Sequence, residues 1–304
     1  MKVSLLTVVC SILLASVLAQ AQQPANQADG LQKERFDRAL QLAKSGHNAE
    51  AEEEFRALLA IREQALGKEH PDTLAVCLDL ANVYQRENKL IEAEQMLLDL
   101  ISVQKRVLGV GDRATLASRS DLAAVLRDEG RLSEAARINR EVLEMRARVL
   151  GPEDKDTLAS RFNDAGALSD AGDHVGSEKE HRQVLTILER TLGPENPETL
   201  NSREHVAVQL DARGRYAEAE SEHRAVLTLR EKVLGPDHLD VFMSCYGLAF
   251  CLQSQGKWKE ALPLIRRAEE GLLRLVGENH PNYLKARSFR EHIEQQIQAS
   301  GSAP

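Results

Sequence analysis

The chain has 304 residues and a formal net charge of −8 at pH 7, and its sequence contains no run of five or more basic residues. Nucleic acids and anionic membrane surfaces attract clusters of lysine and arginine, so this acidic balance argues against both as partners. Aromatic residues make up 4% of the chain and charged residues 28%. That mixture favours amphipathic helices rich in leucine and alanine over a β-rich core.

The first 21 residues predict a secretory leader. Lys2 precedes an apolar run over residues 3–19, and Ala19 and Ala21 are small residues at the two positions that a signal peptidase reads. We therefore expect cleavage after Ala21 and an exported protein, periplasmic or secreted. The alternative is an uncleaved membrane anchor, because about 17 apolar residues could just span a bilayer. The polar residues 22–30 are interpreted as a flexible linker.

From residue 31 onward the sequence repeats with a period of 42 residues. An apolar residue followed by glycine recurs at Leu66-Gly67, Leu108-Gly109, Leu150-Gly151, Leu192-Gly193, Leu234-Gly235 and Val276-Gly277. A turn residue recurs at Gly46, Asn88, Gly130, Gly172, Gly214 and Gly256, followed five positions later by Ala51, Ala93, Ala135, Ser177, Ala219 and Ala261. A fixed period of this size indicates stacked repeats, each of which buries its apolar face against its neighbours.

Each repeat has the pattern of two amphipathic helices. In one unit the first stripe consists of Leu74, Cys77, Leu80, Ala81 and Tyr84, and the second of Ala93, Leu97, Leu100 and Ile101. Spacings of three and four residues place each set on one face of a helix. Glycine after the second helix, then proline and an acid, is typical of one helix ending and the next beginning. Neither helix buries its stripe alone, so we expect neighbouring pairs to stack.

A helix pair with a small residue in its first helix, a glycine at the turn and alanine five residues later resembles the tetratricopeptide repeat. The 42-residue period and the strings His70-Pro-Asp-Thr-Leu74 and Ala217-Glu-Ala-Glu220 resemble its kinesin light chain-type branch. HEAT-type repeats have similar periods, but the glycine–alanine spacing fits them poorly. The resemblance implies an all-α, right-handed superhelical solenoid with six helix pairs over residues 31–282, a capping helix over 283–299 and a disordered tail over 300–304.

Two places depart from the repeat pattern. Gly176 lies where a helix should start, and Asp164 stands where other repeats have leucine or valine. Glycine inside a helix costs about 1 kcal/mol relative to alanine, so we expect the softest joint of the array here. Near the C-terminus, Arg290 and Glu291 replace the usual leucine and alanine, as an end cap with one solvent-facing side requires.

A second stripe on the first helices changes residue type from repeat to repeat, unlike the core columns. By resemblance to the family, this stripe corresponds to the concave, ligand-facing surface. A methionine, tyrosine and phenylalanine patch near its C-terminal end suits an apolar or aromatic anchor of a peptide. The predicted groove residues are Asn82, Arg127, Phe162, Asn201, Glu204, Met243, Tyr246 and Phe250. The alternative is plain packing, with the patch partly covered by the closing helix.

A column of arginines, Arg119, Arg161 and Arg203, runs beside the predicted groove. These side chains could read a carboxylate or phosphate of a ligand. They could instead bury their stems and pair their heads with helix-borne acids such as Glu94 or Glu178. The second interpretation is favoured, because the column lies near the middle of the packed stripe.

The sequence contains no catalytic or phosphate-binding motif. His181 and His223 recur at equivalent positions, and we expect them on a solvated face, because a zinc site would need further ligands within tetrahedral reach. Cys77, Cys245 and Cys251 are expected to act as small buried hydrophobic residues and not as disulfide partners. We therefore predict no catalytic residue, no cofactor and no metal.

Together these features favour a non-catalytic, exported scaffold that binds a peptide or protein segment in its concave groove. One alternative is a self-assembling structural repeat protein. Another, from a different class, is a hydrolase embedded in a helical array. The expected partner is a protein or peptide of unknown identity, with self-association left open, and with no nucleic acid and no membrane contact beyond the leader.

Overall fold

The computed structural model describes residues 30–301, and every regular element in that range is an α-helix. The helices are α1 (30–44), α2 (Asn48–Leu66), α3 (Pro71–Arg86), α4 (Leu90–Val107), α5 (Arg113–Asp128), α6 (Leu132–Val149), α7 (Lys155–Asp170), α8 (His174–Thr191), α9 (Pro197–Ala212), α10 (Tyr216–Leu234), α11 (Leu239–Ser254), α12 (Trp258–Val276) and α13 (Pro281–Gly301). The all-α solenoid fold predicted from the repeats is confirmed. The predicted leader, the linker as far as residue 29 and the last three residues of the chain lie outside the described range.

The helices belong to two compact units, one up to Ala135 and the other from Ala136 onward. In the first unit α2 packs on α3, α3 on α4 and α4 on α5. In the second unit each helix from α8 to α13 packs on the helix that precedes it. Within each unit, these helices therefore cover the apolar stripes of their neighbours along the chain, as stacked repeats require.

Two columns of small residues let the helices approach closely. Every member of both columns is at most 2% exposed: Ala39, Ala81, Ala123, Ala165, Ala207 and Ala249 on the first helices, and Ala51, Ala93, Ala135, Ser177, Ala219 and Ala261 on the second. Larger side chains such as Leu80 and Leu210 fill the space beside them and are buried as well. The alternation of small and large side chains gives the dense packing of a protein interior.

Helix boundaries follow local sequence signals. The side chains of Asp112, Asp154 and Asn196 cap their helices, each by accepting a hydrogen bond from the backbone N–H two residues further on. The turn within a pair needs a positive φ, which Gly214 adopts at 72° and Asn88 at 60°. Glycine adopts this region without steric cost, and asparagine is among the few other residues that tolerate it.

The irregular segment at the start of α8 has a local explanation. The backbone N–H of Gly176 donates to Oδ1 of Asp173 at 2.9 Å, and a Cβ at Gly176 would lie 2.4 Å from Oδ2 of the same residue. Glycine therefore allows Asp173 to cap the helix. Asp164 is buried on α7 and lies 2.7 Å from the guanidinium of Arg140, and burial raises the pKa of this carboxyl. The softness expected of this segment stays a prediction.

The last helix, α13, closes the second unit. Tyr283, Ala286 and Ile293 are buried in the same apolar cluster as the core of α12. Arg290 contacts Glu269 at 2.5 Å and Glu294 at 2.6 Å on the more accessible side. Among the helices described, none combines the length and the apolar character needed to cross a membrane.

Candidate binding groove

A groove lies between α9 and α11 in the second unit, with residues of α10 at its floor. Its volume is about 760 Å³. Five of the predicted groove residues line it: Asn201 and Glu204 from α9, and Met243, Tyr246 and Phe250 from α11. The floor is formed by Tyr216, His223 and Arg230 of α10.

One wall of the groove is apolar and exposed. Met243 is 37% exposed and Phe250 47%, and Val208 on the opposite wall is 44% exposed. Tyr246 is half-buried, because its ring packs on Phe289 of α13 with 5.2 Å between the centroids. The closing helix therefore covers part of the aromatic patch and leaves Met243 and Phe250 accessible. Exposed apolar side chains beside a cavity are a common feature of binding sites.

The floor of the groove holds a buried charged cluster. The imidazole of His223 lies between two carboxylates: Nδ1 is 3.1 Å from Oε1 of Glu204, and Nε2 is 2.9 Å from Oδ2 of Asp211. Both ring nitrogens donate only when the ring is doubly protonated. Burial by itself would lower the pKa of His223, but the hydrogen bonds and charges of the two carboxylates outweigh it and raise the pKa to about 9. His223 is therefore a cation at neutral pH.

Arg230 is the second buried cation of the floor. Its Nη1 donates to Oγ of Ser244 at 2.6 Å and its Nη2 to Oδ1 of Asn201 at 3.0 Å. Nη1 also lies 3.6 Å from Oε2 of Glu204, which makes an ion pair but not a hydrogen bond. The guanidinium thus connects α10 to both walls of the groove.

Gly247 gives the charged cluster its space. A Cβ at this position of α11 would lie 2.8 Å from Oε1 of Glu204 and 3.3 Å from Cε1 of His223. Because glycine has no side chain, Glu204 reaches His223.

Phe162 lies in a second, smaller cavity of about 410 Å³, which it shares with Asn201. Its ring packs edge-on against His181 and His205, with centroid distances of 4.9 and 4.6 Å, and the two imidazoles stack 5.0 Å apart. Burial lowers the pKa of His181 to about 4, and the repulsion that a protonated His205 would exert acts in the same direction. Burial also lowers the pKa of His205. This cluster is therefore neutral at pH 7.

The prediction that His181 and His223 lie on a solvated face is wrong. Their exposed fractions are 2% and 0%. The sequence carried a signal for burial, since the same repeat column holds Phe55, Leu97 and Ile265, all fully buried. The polar character of histidine concealed that this column belongs to the core.

The remaining predicted groove residues, Asn82 and Arg127, belong to the first unit. Asn82 is half-buried on α3, and Arg127 is exposed near the end of α5, with its Nε 3.9 Å from Asp128. Conversely, Arg230 lines the groove of the second unit without having been predicted. The period marks which residues share a column, but not how deep each side chain reaches.

The arginine column is paired within the protein. Arg161 contacts Glu180, and Arg203 contacts Glu222 at 3.0 Å. Their side chains are 14% and 26% exposed, as expected for buried stems with paired heads. Arg119 is half-buried on α5.

The acids suggested as partners of this column are not the partners of Arg161 and Arg203. Glu94 pairs with Arg131 at 2.7 Å, and Glu178 with Arg182 at 2.7 Å. Glu94 and Arg131 are separated by 37 residues and belong to successive repeats. Some carboxylates on the second helices pair with the arginine column, as Glu180 and Glu222 do. Others, such as Glu94 and Glu178, pair with other arginines, and the sequence positions do not distinguish the two groups.

The three cysteines of the described range are free thiols. Burial raises the pKa of Cys77 and Cys245 to about 11 and that of Cys251 to about 12, which keeps the thiols protonated. Between residues 30 and 301, no three His, Cys, Asp or Glu side chains are grouped so that they could hold a metal ion.

Family models described as tetratricopeptide repeat match residues 35–106, 77–148 and 204–274 in one case and 157–198 in another. Together these segments span more than half of the chain. No curated protein matches it.

Solved structures share the fold. A candidate kinesin light chain from Podosopora anserina, with nearly identical TPR-like repeats, is 27% identical, with a TM-score of 0.62 over 69% of this chain and 100% of that one. BtubC (BKLC) from P. vanneervenii is 19% identical, with a TM-score of 0.59 over 77% and 91% of the two chains. A Rap protein in complex with competence and sporulation factor is 14% identical, with a TM-score of 0.53 over 87% and 75%. At the identities of the last two, the likeness concerns the fold alone.

Proposed function

This chain belongs to the tetratricopeptide repeat family, and we propose that it is a non-catalytic scaffold that binds a peptide segment of another protein in the groove between α9 and α11. The observation that carries the proposal is the exposure of Met243 and Phe250 beside an open groove of about 760 Å³. Exposed apolar side chains at the edge of a preformed cavity offer the anchoring contacts on which peptide affinity mostly depends.

The floor of the groove supports binding over catalysis. Both nitrogens of His223 are held by carboxylates, so the ring has no free lone pair with which to act as a general base. Arg230 is held by Ser244 and Asn201. Side chains fixed in this way form a rigid surface against which a ligand is positioned.

The fold neighbours offer a precedent. The Rap protein is described in complex with competence and sporulation factor. For the present chain, this precedent supports a partner that the helical repeats bind, and the groove supplies apolar contacts for it.

A matched pair of double variants tests the proposal. Met243→Ser with Phe250→Ser removes the exposed wall, whereas Val233→Ser with Leu275→Ser removes apolar side chains of similar exposure outside the groove. A displayed library of random peptides is screened against each double variant and against the unmodified chain. We expect the groove variant to lose at least about tenfold in enrichment, or about 1.4 kcal/mol of binding, and the control to keep it. Equal enrichment by both variants would contradict the proposal.

We further propose that the scaffold works outside the cytosol. This rests on Lys2, the apolar run over residues 3–19 and the small residues Ala19 and Ala21. When the full chain is made in a host with a secretory pathway, N-terminal sequencing of the exported protein should begin at Gln22. Recovery of an intact N-terminus in the membrane fraction would favour the anchored alternative.

A further inference from the structure

We propose that the floor of this groove binds a cationic side chain, that of a lysine or arginine in an extended peptide, while the apolar wall holds a neighbouring residue of the same peptide. The inference deepens the proposed function and rests on it. It assigns a chemical class to one position of the ligand.

The first reason is the charge balance of the groove. Three acidic residues line it, against two cations, His223 and Arg230. The acids are Glu204, Asp211 and Asp240, whose side chains are 17%, 7% and 48% exposed. The position of His223 between two carboxylate oxygens requires its charged form, so the lining carries one net negative charge. Apolar walls strengthen this field, because they lower the local dielectric constant.

The second reason is that the floor has acceptors without strong donors. Oε2 of Glu204 and Oδ1 of Asp211 are buried and have no well-formed hydrogen bond within the part of the chain that the structure describes, and the other donor that the Asp211 carboxylate faces is the weak S–H group of Cys251. The Asp211 side chain is only 7% exposed, and a buried carboxylate oxygen without a donor is unfavourable. Both residues line the groove, and 17% of the Glu204 side chain is exposed, so a ligand can reach this part of the floor.

An ammonium or guanidinium group meets this need. It carries a positive charge and several N–H donors, and charge-assisted hydrogen bonds to carboxylates are stronger than neutral ones. An anionic ligand is not favoured in the same way, because the N–H groups of His223 and Arg230 already donate to acceptors of the protein. The long aliphatic stem of lysine or arginine also matches an apolar wall such as Met243 and Phe250.

Binding of short synthetic peptides tests the inference. Five-residue peptides with acetylated and amidated ends differ only at the centre, which is lysine, arginine, norleucine or glutamate between two leucines. A fifth peptide has norleucine at its centre and a free amino terminus. Affinities are measured by isothermal titration calorimetry at low and at high salt. We expect lysine and arginine to bind at least about tenfold tighter than blocked norleucine at low salt, and this preference to shrink at high salt.

Variants of the protein locate the effect. Asp211→Asn should reduce the preference for lysine over norleucine to less than about threefold, and Glu204→Gln is a second variant in case the first is unstable. Asp237→Asn, a carboxylate that is 77% exposed outside the groove, should keep the full preference. Circular dichroism confirms that each variant is folded.

The outcomes separate the two proposals. If norleucine binds as well as lysine, or glutamate binds best, the inference is wrong and peptide binding stands. If the free amino terminus binds as tightly as blocked lysine, the floor reads a chain end and not a side chain, which also overturns the inference. If no peptide binds at all, the proposed function and the inference are both wrong.

Discussion

His181 and His223 occupy the same position in successive repeats, on α8 and α10, and both are buried. The pKa of His181 is lowered to about 4, whereas that of His223 is raised to about 9. The backbone and the repeat position are shared, so the difference comes from the side chains that face each ring. One repeat column thus holds a neutral imidazole and a buried cation.

Three substitutions between the repeats account for the contrast. Phe162 beside His181 corresponds to Glu204 beside His223, and Ser169 corresponds to Asp211. His205, which stacks on His181, corresponds to Gly247, which leaves space for Glu204. Around His181, burial and the neighbouring His205 both disfavour the charged ring, whereas around His223 the two carboxylates outweigh the cost of burial. A repeat array can therefore vary its electrostatics without altering its packing frame.

The largest expected effect comes from removing each ring in turn. His223→Leu leaves the carboxylates of Glu204 and Asp211 buried without their cation, which should lower the free energy of unfolding by about 3–5 kcal/mol. His181→Leu replaces a neutral ring with another apolar group and should cost less than about 1.5 kcal/mol. Urea unfolding followed by circular dichroism measures both. Equal losses would show that the two surroundings do not differ as described.

A transplant of the neighbours tests the cause directly. Phe162→Glu, Ser169→Asp and His205→Gly together give His181 the surroundings of His223. The pKa of His181, followed by NMR titration, should rise from about 4 to above about 7. The matched control, with Phe162→Gln, Ser169→Asn and the same change at His205, supplies similar shapes without charge. A similar rise in the control would assign the effect to packing instead of charge.

The two histidines should also affect stability at opposite ends of the pH range. A pKa raised in the folded state stabilises below the unfolded value of about 6.5, and this contribution from His223 is lost as the pH rises towards about 9. A lowered pKa stabilises above the unfolded value, so the contribution from His181 is lost as the pH falls towards about 4. The midpoint temperature of thermal unfolding should therefore depend less on pH on the alkaline side in His223→Leu, and less on the acid side in His181→Leu, than in the unmodified protein. Unchanged profiles would contradict both assignments.

The smallest expected effect separates two helix glycines. At Gly166 of α7 a Cβ would meet nothing within 4 Å, so Gly166→Ala should stabilise the protein by about 0.5–1 kcal/mol. At Gly247 a Cβ would press on Glu204 at 2.8 Å. Gly247→Ala should therefore gain less than Gly166→Ala and lower the pKa of His223 below about 9. Thermal unfolding and NMR titration measure the two effects, and an equal gain at both positions would argue against the close contact.

The sequence by itself determined the helices and their packing columns. The 42-residue period places an alanine or serine at each close contact, a glycine or asparagine at each turn, and a capping side chain at most helix starts. Each of these positions requires a particular type of residue for local steric or hydrogen-bonding reasons, so the sequence alone identifies it. Five of the predicted groove residues line one cavity for the same reason, since the period identifies which positions share a face of the solenoid.

Only the tertiary structure decided what the groove and the buried histidines do. Whether His223 is charged depends on Glu204 and Asp211, which come from another helix, and on Gly247, which comes from a third. The extent to which α13 covers Tyr246 depends in the same way on a contact between helices. A pKa or an exposed fraction is a property of all the groups around an atom, whereas a repeat pattern specifies one position at a time.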